Sequence, residues 1–180
     1  FYKTGSADCS LREKIRYRTI NRTMSATDKS FPEKTVALAT ASVTQDGGPF
    51  GAIIVRNNQI IGQGNNQVTL NNDPTAHAEV MAIRDACNSL ATFTLDDCVL
   101  YSSCEPCPMC MSAIYWARLG RVVYAATQQD AADAGFDDAF IARELCMPYE
   151  QRSIKIEHIK CHEHNKSFIE RHRKQDKTEN

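Results

Sequence analysis

No stretch of this sequence stays apolar long enough to cross a membrane, since a spanning helix needs ~20 such residues. The N-terminus also lacks the apolar core of a secretory signal, so export is not expected and the cytoplasm is the expected location. No internal repeat or low-complexity block is present. Nor is there a charge excess, with 21 Lys and Arg against 22 Asp and Glu. That balance is uneven: residues 1–23 hold six basic and two acidic side chains, leaving 15 basic and 20 acidic in the rest. An acidic body is a poor footprint for a phosphate backbone, so neither a nucleic-acid nor a membrane partner is expected.

Cysteine, by contrast, is plentiful. Eight cysteines without an export signal point to thiols or metal ligands in a reducing compartment. The Asn-x-Ser/Thr matches at Asn21 and Asn165 therefore carry no weight.

Two motifs concentrate the chemistry. One is Asp73-Pro74-Thr75-Ala76-His77-Ala78-Glu79, the other Ser103-Cys104-Glu105-Pro106-Cys107-Pro108-Met109-Cys110. Asp73 can cap a helix whose first residue is Pro74, where a missing N–H costs nothing. Val80, Ile83, Cys87 and Leu90 then recur at helical spacing and predict its buried face, to about Leu90. Side chains in a first turn lean toward the N-terminus, so His77 and Glu79 can both reach a point beyond the helix end. Cys107 and Cys110, three apart, share one face of a second helix whose start Pro106 marks. The positive end of that helix favours thiolates. His77, Cys107 and Cys110 thus form a three-ligand set of the kind that holds one Zn²⁺ with a fourth position for water. Glu79 is the carboxylate placed to handle that water's proton. Cysteine spacing alone leaves the choice open, because Cys104 and Cys107 are also three apart. The Pro directly before Cys107 favours Cys107 as ligand and Cys104 as a small buried residue at a strand end. A redox pair is the other reading of a lone Cys-x-x-Cys.

Along the chain, residues 1–23 are polar and basic, and Met24 follows. They read as an extension, tag or disordered segment before a domain over 24–180, with an Arg-rich targeting segment as the alternative. A helix is expected over Phe31–Val43, capped by Ser30 with Pro32 at its first position. Asp46-Gly47-Gly48-Pro49 breaks it. Phe50–Val55 reads as a buried strand, Asn57-Asn58 as a tight hairpin and Gln59–Gly64 as the returning strand. Asp97–Ser102 is a third strand leading into the Cys motif, whose helix runs through Arg118 to Gly120. Arg121–Ala126 is a fourth strand and Ala131–Cys146 a loop and helix. Ser153–Ile159 alternates Ile154 and Ile156 with polar residues, which predicts a fifth strand. The tail His164–Asn180 is polar. Helices alternating with strands after a hairpin imply an α/β fold, a three-layer α/β/α domain on a five-stranded mixed sheet. Both motifs follow strands and open helices, which places the site at the sheet's edge.

The paired motifs carry the His-x-Glu and Pro-Cys-x-x-Cys signature of zinc deaminases. Over Gly47 to about Pro148 the chain resembles the cytidine-deaminase superfamily, and within it guanine deaminases of the bacterial and plant type. Gly47-Gly48-Pro49-Phe50-Gly51-Ala52, Ala113-Ile114-Tyr115-Trp116-Ala117-Arg118 and Ala134-Gly135-Phe136-Asp137-Asp138 carry that likeness beside the zinc motifs. The resemblance implies a cytidine-deaminase-like fold, one Zn²⁺ per chain, a homodimer and a purine base as substrate. It implies Phe50, Asn66, Trp116 and Asp138 as substrate contacts, and a share for Asp138 in proton transfer. The reaction implied is hydrolysis of guanine to xanthine and ammonia, as in purine salvage. In the family the C-terminal segment is aromatic-rich and caps the partner's site, whereas here no aromatic follows Phe168.

Other readings compete. A tRNA adenosine deaminase shares the zinc motif but fits poorly with the acidic body. Guanosine, cytosine or cytidine could replace guanine. A structural zinc or redox module would leave Glu79 without a role, and structural zinc takes four protein ligands.

Overall fold

A computed structural model of the chain describes residues 26–136 and 138–178. The expected extension over residues 1–23 lies outside them, as do Asp137 and the last two residues. The described residues fall into two compact units dividing after Phe140.

The first unit is built on one mixed sheet. β1 (Gly48–Arg56) and β2 (Gln59–Asn66) form an antiparallel hairpin. Asn57 and Asn58 make its turn with φ of 50° and 63°, a left-handed pair that suits the right-handed strand twist. β3 (Val99–Cys104) runs antiparallel to β1, and β4 (Arg121–Ala126) runs parallel to β3. The order is β2-β1-β3-β4.

Period-two alternation assigns the two faces. Ile53, Val55 and Tyr101 point to one side, where they pack with Phe31 of α1 (Ala26–Val43). Ala52, Ile54 and Leu100 point to the other. There they meet Ala78, Ala82 and Ala86 of α3 (Ala78–Leu90) and Ile114 of α4 (Pro108–Trp116). The three-layer expectation holds in this unit. A short helix, α2 (Val68–Asn71), links β2 to the His motif, and α5 (Gln128–Asp133) follows β4 under a capping box from Thr127 and Asp130.

Several expectations are corrected. The sheet has four strands among the described residues, not five. Ser153–Ile159 joins no ladder, and Ile154 and Ile159 are 74% and 82% exposed. Its alternation satisfies a local rule, but a strand also needs a partner edge, which local sequence cannot supply. α1 begins at Ala26, so Pro32 lies inside the helix instead of opening it. α3 begins at Ala78, because Asp73 spends its carboxylate on a turn, accepting from Thr75 N at 2.8 Å and Thr75 Oγ1 at 2.7 Å. The buried face of α3 is Ala78, Ala82 and Ala86, with Val80, Ile83 and Cys87 only partly covered. Small residues win there because the helix lies almost on the strand backbone. A Cβ on Gly62 would sit 2.5 Å from Ala86 N, and one on Gly64 2.5 Å from the Ala78 carbonyl.

The second unit, from Ile141, contains most of α6 (Ala139–Cys146), a 3₁₀ turn at Tyr149–Gln151 and α7 (Lys166–Arg173). Its own contacts are polar. Arg152 donates to the carbonyls of Leu145 and Met147 at 3.0 Å, and Glu144 accepts from Ser153 N and Oγ at 2.7 Å.

Candidate metal centre

The site is made where two helices begin. His77 is the N-cap of α3 and Cys107 the N-cap of α4, each in extended backbone conformation. Glu79 is the second residue of α3 and Cys110 the third of α4, so all four side chains lie within one turn of a positive helix end. Parallel pairing of β3 and β4 carries the chain of β3 directly into the Cys loop, while β2 and α2 deliver the His loop.

The donor atoms of His77, Cys107 and Cys110 all lie within 4.8 Å of one another. His77 Nδ1 is 3.6 Å from Cys107 Sγ and 3.5 Å from Cys110 Sγ. This is the one group of three or more His, Cys, Asp or Glu with metal-binding spacing among the described residues. Glu79, 5% exposed, reaches the same point: its Oε2 is 3.3 Å from Cys110 Sγ. The set suits a divalent cation on charge grounds, because two thiolates beside a buried carboxylate would otherwise leave three close anions out of water. One imidazole and two thiolates is also a borderline-soft donor set, which favours zinc over hard cations.

The electrostatics without metal agree. The hydrogen bond from the Cys110 thiol, followed by that from His77, holds Cys107 down to about 4. Cys110, which gives that hydrogen and is buried, is pushed up. The Cys107 bond lifts the His77 imidazolium above its ordinary range, with burial opposing. Burial raises Glu79, while the hydrogen bond from Ser102 pulls it partly back. Cys104 behaves differently. Burial raises its thiol, and Sγ points to the Thr127 carbonyl at 3.5 Å, away from the cluster.

The remaining sequence candidates lie on other elements or further along the same ones. Asp138 is half-buried, accepts from the Gln128 side-chain amide, and its charge is felt at His77. Phe50 stacks edge-on against Phe136, ring centres 5.1 Å apart. Asn66 turns its Oδ1 to the Val68 N–H at 3.2 Å. Trp116 closes α4 and is 76% exposed. An apolar cavity of about 480 Å³ is lined by Val36, Thr40, Phe50, Ser103, Cys104 and Phe136 among others. None of His77, Glu79, Cys107 or Cys110 lines it, so its volume says nothing about room at the donors.

Two side chains that matter here escape sequence reasoning. Ser102 donates to Glu79 Oε1 at 2.9 Å, and Gln128 holds Asp138. The readable signal for Ser102 is a polar residue on the Leu100 face of a strand otherwise buried there.

Comparison with known proteins agrees with this geometry. Residues 25–126 match the family model described as the cytidine and deoxycytidylate deaminase zinc-binding region. Guanine deaminase of Bacillus subtilis is 54% identical over 141 residues, covering 78% of this chain and 90% of the relative. The X-ray structure of guanine deaminase from Bacillus subtilis superposes with a TM-score of 0.82 at 50% identity, over 87% of this chain and 99% of that one. A second crystal structure, of a protein in complex with 2,6-diaminopurine, gives 0.60 at 32% identity over 65% of each chain.

Proposed function

The chain belongs to the cytidine and deoxycytidylate deaminase zinc-binding family, and from that premise we propose that it hydrolyses guanine to xanthine and ammonia. In this reading 24–180 is the deaminase domain, and His77, Cys107 and Cys110 are the ligands of one Zn²⁺ per chain. When bound, zinc supplies Lewis acidity that brings the ionisation of water from ~15.7 toward neutral pH.

Glu79 does the proton work. Its carboxylate accepts a proton from the attacking water and passes it to the ring nitrogen beside C2, which makes that carbon electrophilic. A second proton carried by Glu79 lets the exocyclic amine leave as ammonia. A carboxylate that both takes and gives protons works best out of bulk water, and Glu79 is buried here. Asp138 accepts from the N–H donors of guanine at N1 and the 2-amino group, held in orientation by Gln128. Asn66, Phe50 and Trp116 complete the purine contacts in this reading, the aromatics by stacking.

The observation that carries the proposal is the buried Glu79 carboxylate at the mouth of a three-donor set, because a purely structural zinc has no use for it. Guanine is supported by the likeness to the Bacillus relative. A homodimer and residence in the cytoplasm belong to the same reading, with a free base preferred over nucleic acid.

The test is product analysis with zinc-loaded protein offered guanine, adenine, cytosine, cytidine and RNA. Xanthine and ammonia should appear from guanine in equal amounts. Adenine lacks the N1–H that Asp138 would accept from, and a site built to hydrogen-bond a missing group can discriminate by ~10⁴–10⁵. Inosine appearing in the RNA with guanine untouched would replace this proposal by the tRNA reading.

A further inference from the structure

Glu79 depends on a residue of the central sheet. Ser102, on β3, is 1% exposed and faces Ala52 of β1 across the ladder. Ala52 and Leu100 make its surroundings apolar, where an unpartnered hydroxyl would cost free energy. The partner it finds is on another element: Ser102 Oγ donates to Glu79 Oε1 at 2.9 Å. The backbone N–H of Cys104 approaches the same hydroxyl oxygen at 3.4 Å. That contact uses the oxygen as acceptor, so the single hydroxyl proton is directed to the carboxylate. The next residue turns away, Ser103 Oγ accepting from Gly51 N–H at 3.0 Å.

The two oxygens of Glu79 are therefore unequal. Oε1 is tied to β3, while Oε2 lies 3.3 Å from Cys110 Sγ, on the side of the His77–Cys107–Cys110 cluster. The last torsion of a glutamate is soft, so nothing intrinsic to the side chain fixes the plane of its carboxylate. We propose that Ser102 is a positioning residue: its hydrogen bond to one oxygen fixes the plane of the Glu79 carboxylate, so that the other oxygen is presented to the metal centre and carries the protons. β3 also runs into the loop bearing Cys107, so the hydroxyl ties the proton carrier to the strand that places a metal ligand. The kinetic consequence rests on the deaminase reading, whereas the contact itself does not.

Ser102→Ala and Ser102→Cys, each made with and without Glu79→Ala, separate the possibilities. Zinc content should stay at one per chain in Ser102→Ala. With guanine, its kcat should fall roughly 10–100-fold, the usual cost of losing such a supporting partner. KM should change little, because the serine touches no substrate. Ser102→Cys keeps the shape and a weak S–H donor and should fall between, which also covers a failure of the alanine variant to fold. The second readout is thermal unfolding of the zinc-loaded proteins as a double-mutant cycle. Ser102→Ala should lower the midpoint when Glu79 is present and lower it much less when residue 79 is Ala. Equal shifts in both backgrounds, or a kcat for Ser102→Ala within about threefold of wild type with zinc retained, would overturn the proposal. If wild type fails to turn over guanine, the deaminase reading falls, and the unfolding cycle still decides the Ser102–Glu79 contact.

Discussion

At the scale of single residues, the centre is a problem in charge placed out of water. Cys107 is held down to about 4 while burial lifts Cys98 to about 12. A thiol is a thiolate above its pKa, so in chelated protein at pH 6 Cys107 is ionised and Cys98 is not. Iodoacetamide at that pH should label Cys107 first and leave Cys98 intact, as peptide mapping would read. Preferential labelling of Cys98 would contradict the assignment. Linkage has the same sign: a depressed thiol stabilises the metal-free fold above its unfolded pKa near 9.0, and this is lost as pH falls toward about 4. Glu79→Gln keeps the shape but cannot accept the water's proton. Zinc should remain at one per chain while turnover falls by at least ~10²–10⁴. His77, Glu79, Cys107 and Cys110 are legible in the sequence because each motif's members sit within one helical turn. Ser102 is not, since only the packing of α3 on the sheet brings it to a carboxylate 23 positions away.

At the scale of elements, the decisive contact is α3 lying on β2. Gly64 has no room for a side chain, since a Cβ there would be 2.5 Å from both the Ala78 carbonyl and Ala82 N. Those are the first turns of the helix that presents His77 and Glu79. Gly64→Ala should therefore push α3 outward, costing about 1–3 kcal/mol as overpacking does. Urea unfolding should report that loss, and zinc competition with a chelator should report weaker binding in the same variant. Unchanged stability and unchanged zinc affinity would mean the helix is free to shift. Hairpin, β3, β4 and the two metal-site helices are legible in the sequence because apolar runs and turn residues mark them. The start of α3 is not, because Asp73 and Pro74 suit a helix cap and an Asx turn equally well, and only the path of the chain decides. Ser153–Ile159 fails for the complementary reason: alternation predicts a strand, but a partner edge is a property of the whole fold.

At the scale of the molecule, metal and fold are linked. The three donors arrive from two loops some 30 residues apart in sequence, so a zinc ion held by them would tie β2–α3 to β3–α4. Ligand that binds only the folded state at ~100 times its Kd contributes about 2.7 kcal/mol. For a chain of this length that corresponds to a midpoint shift of about 5–10 °C. Thermal scans before and after exhaustive chelation should show that drop, reversed by one equivalent of zinc. Guanosine tests the choice of substrate most sharply, since it offers the same ring edge and differs only by ribose at N9. The decisive measurement is kcat/KM for guanine and guanosine in parallel on zinc-loaded protein, with adenine as reference. Guanine should be converted efficiently, guanosine weakly or not at all, and adenine not at all. A clear preference for guanosine would contradict this while leaving the zinc chemistry in place.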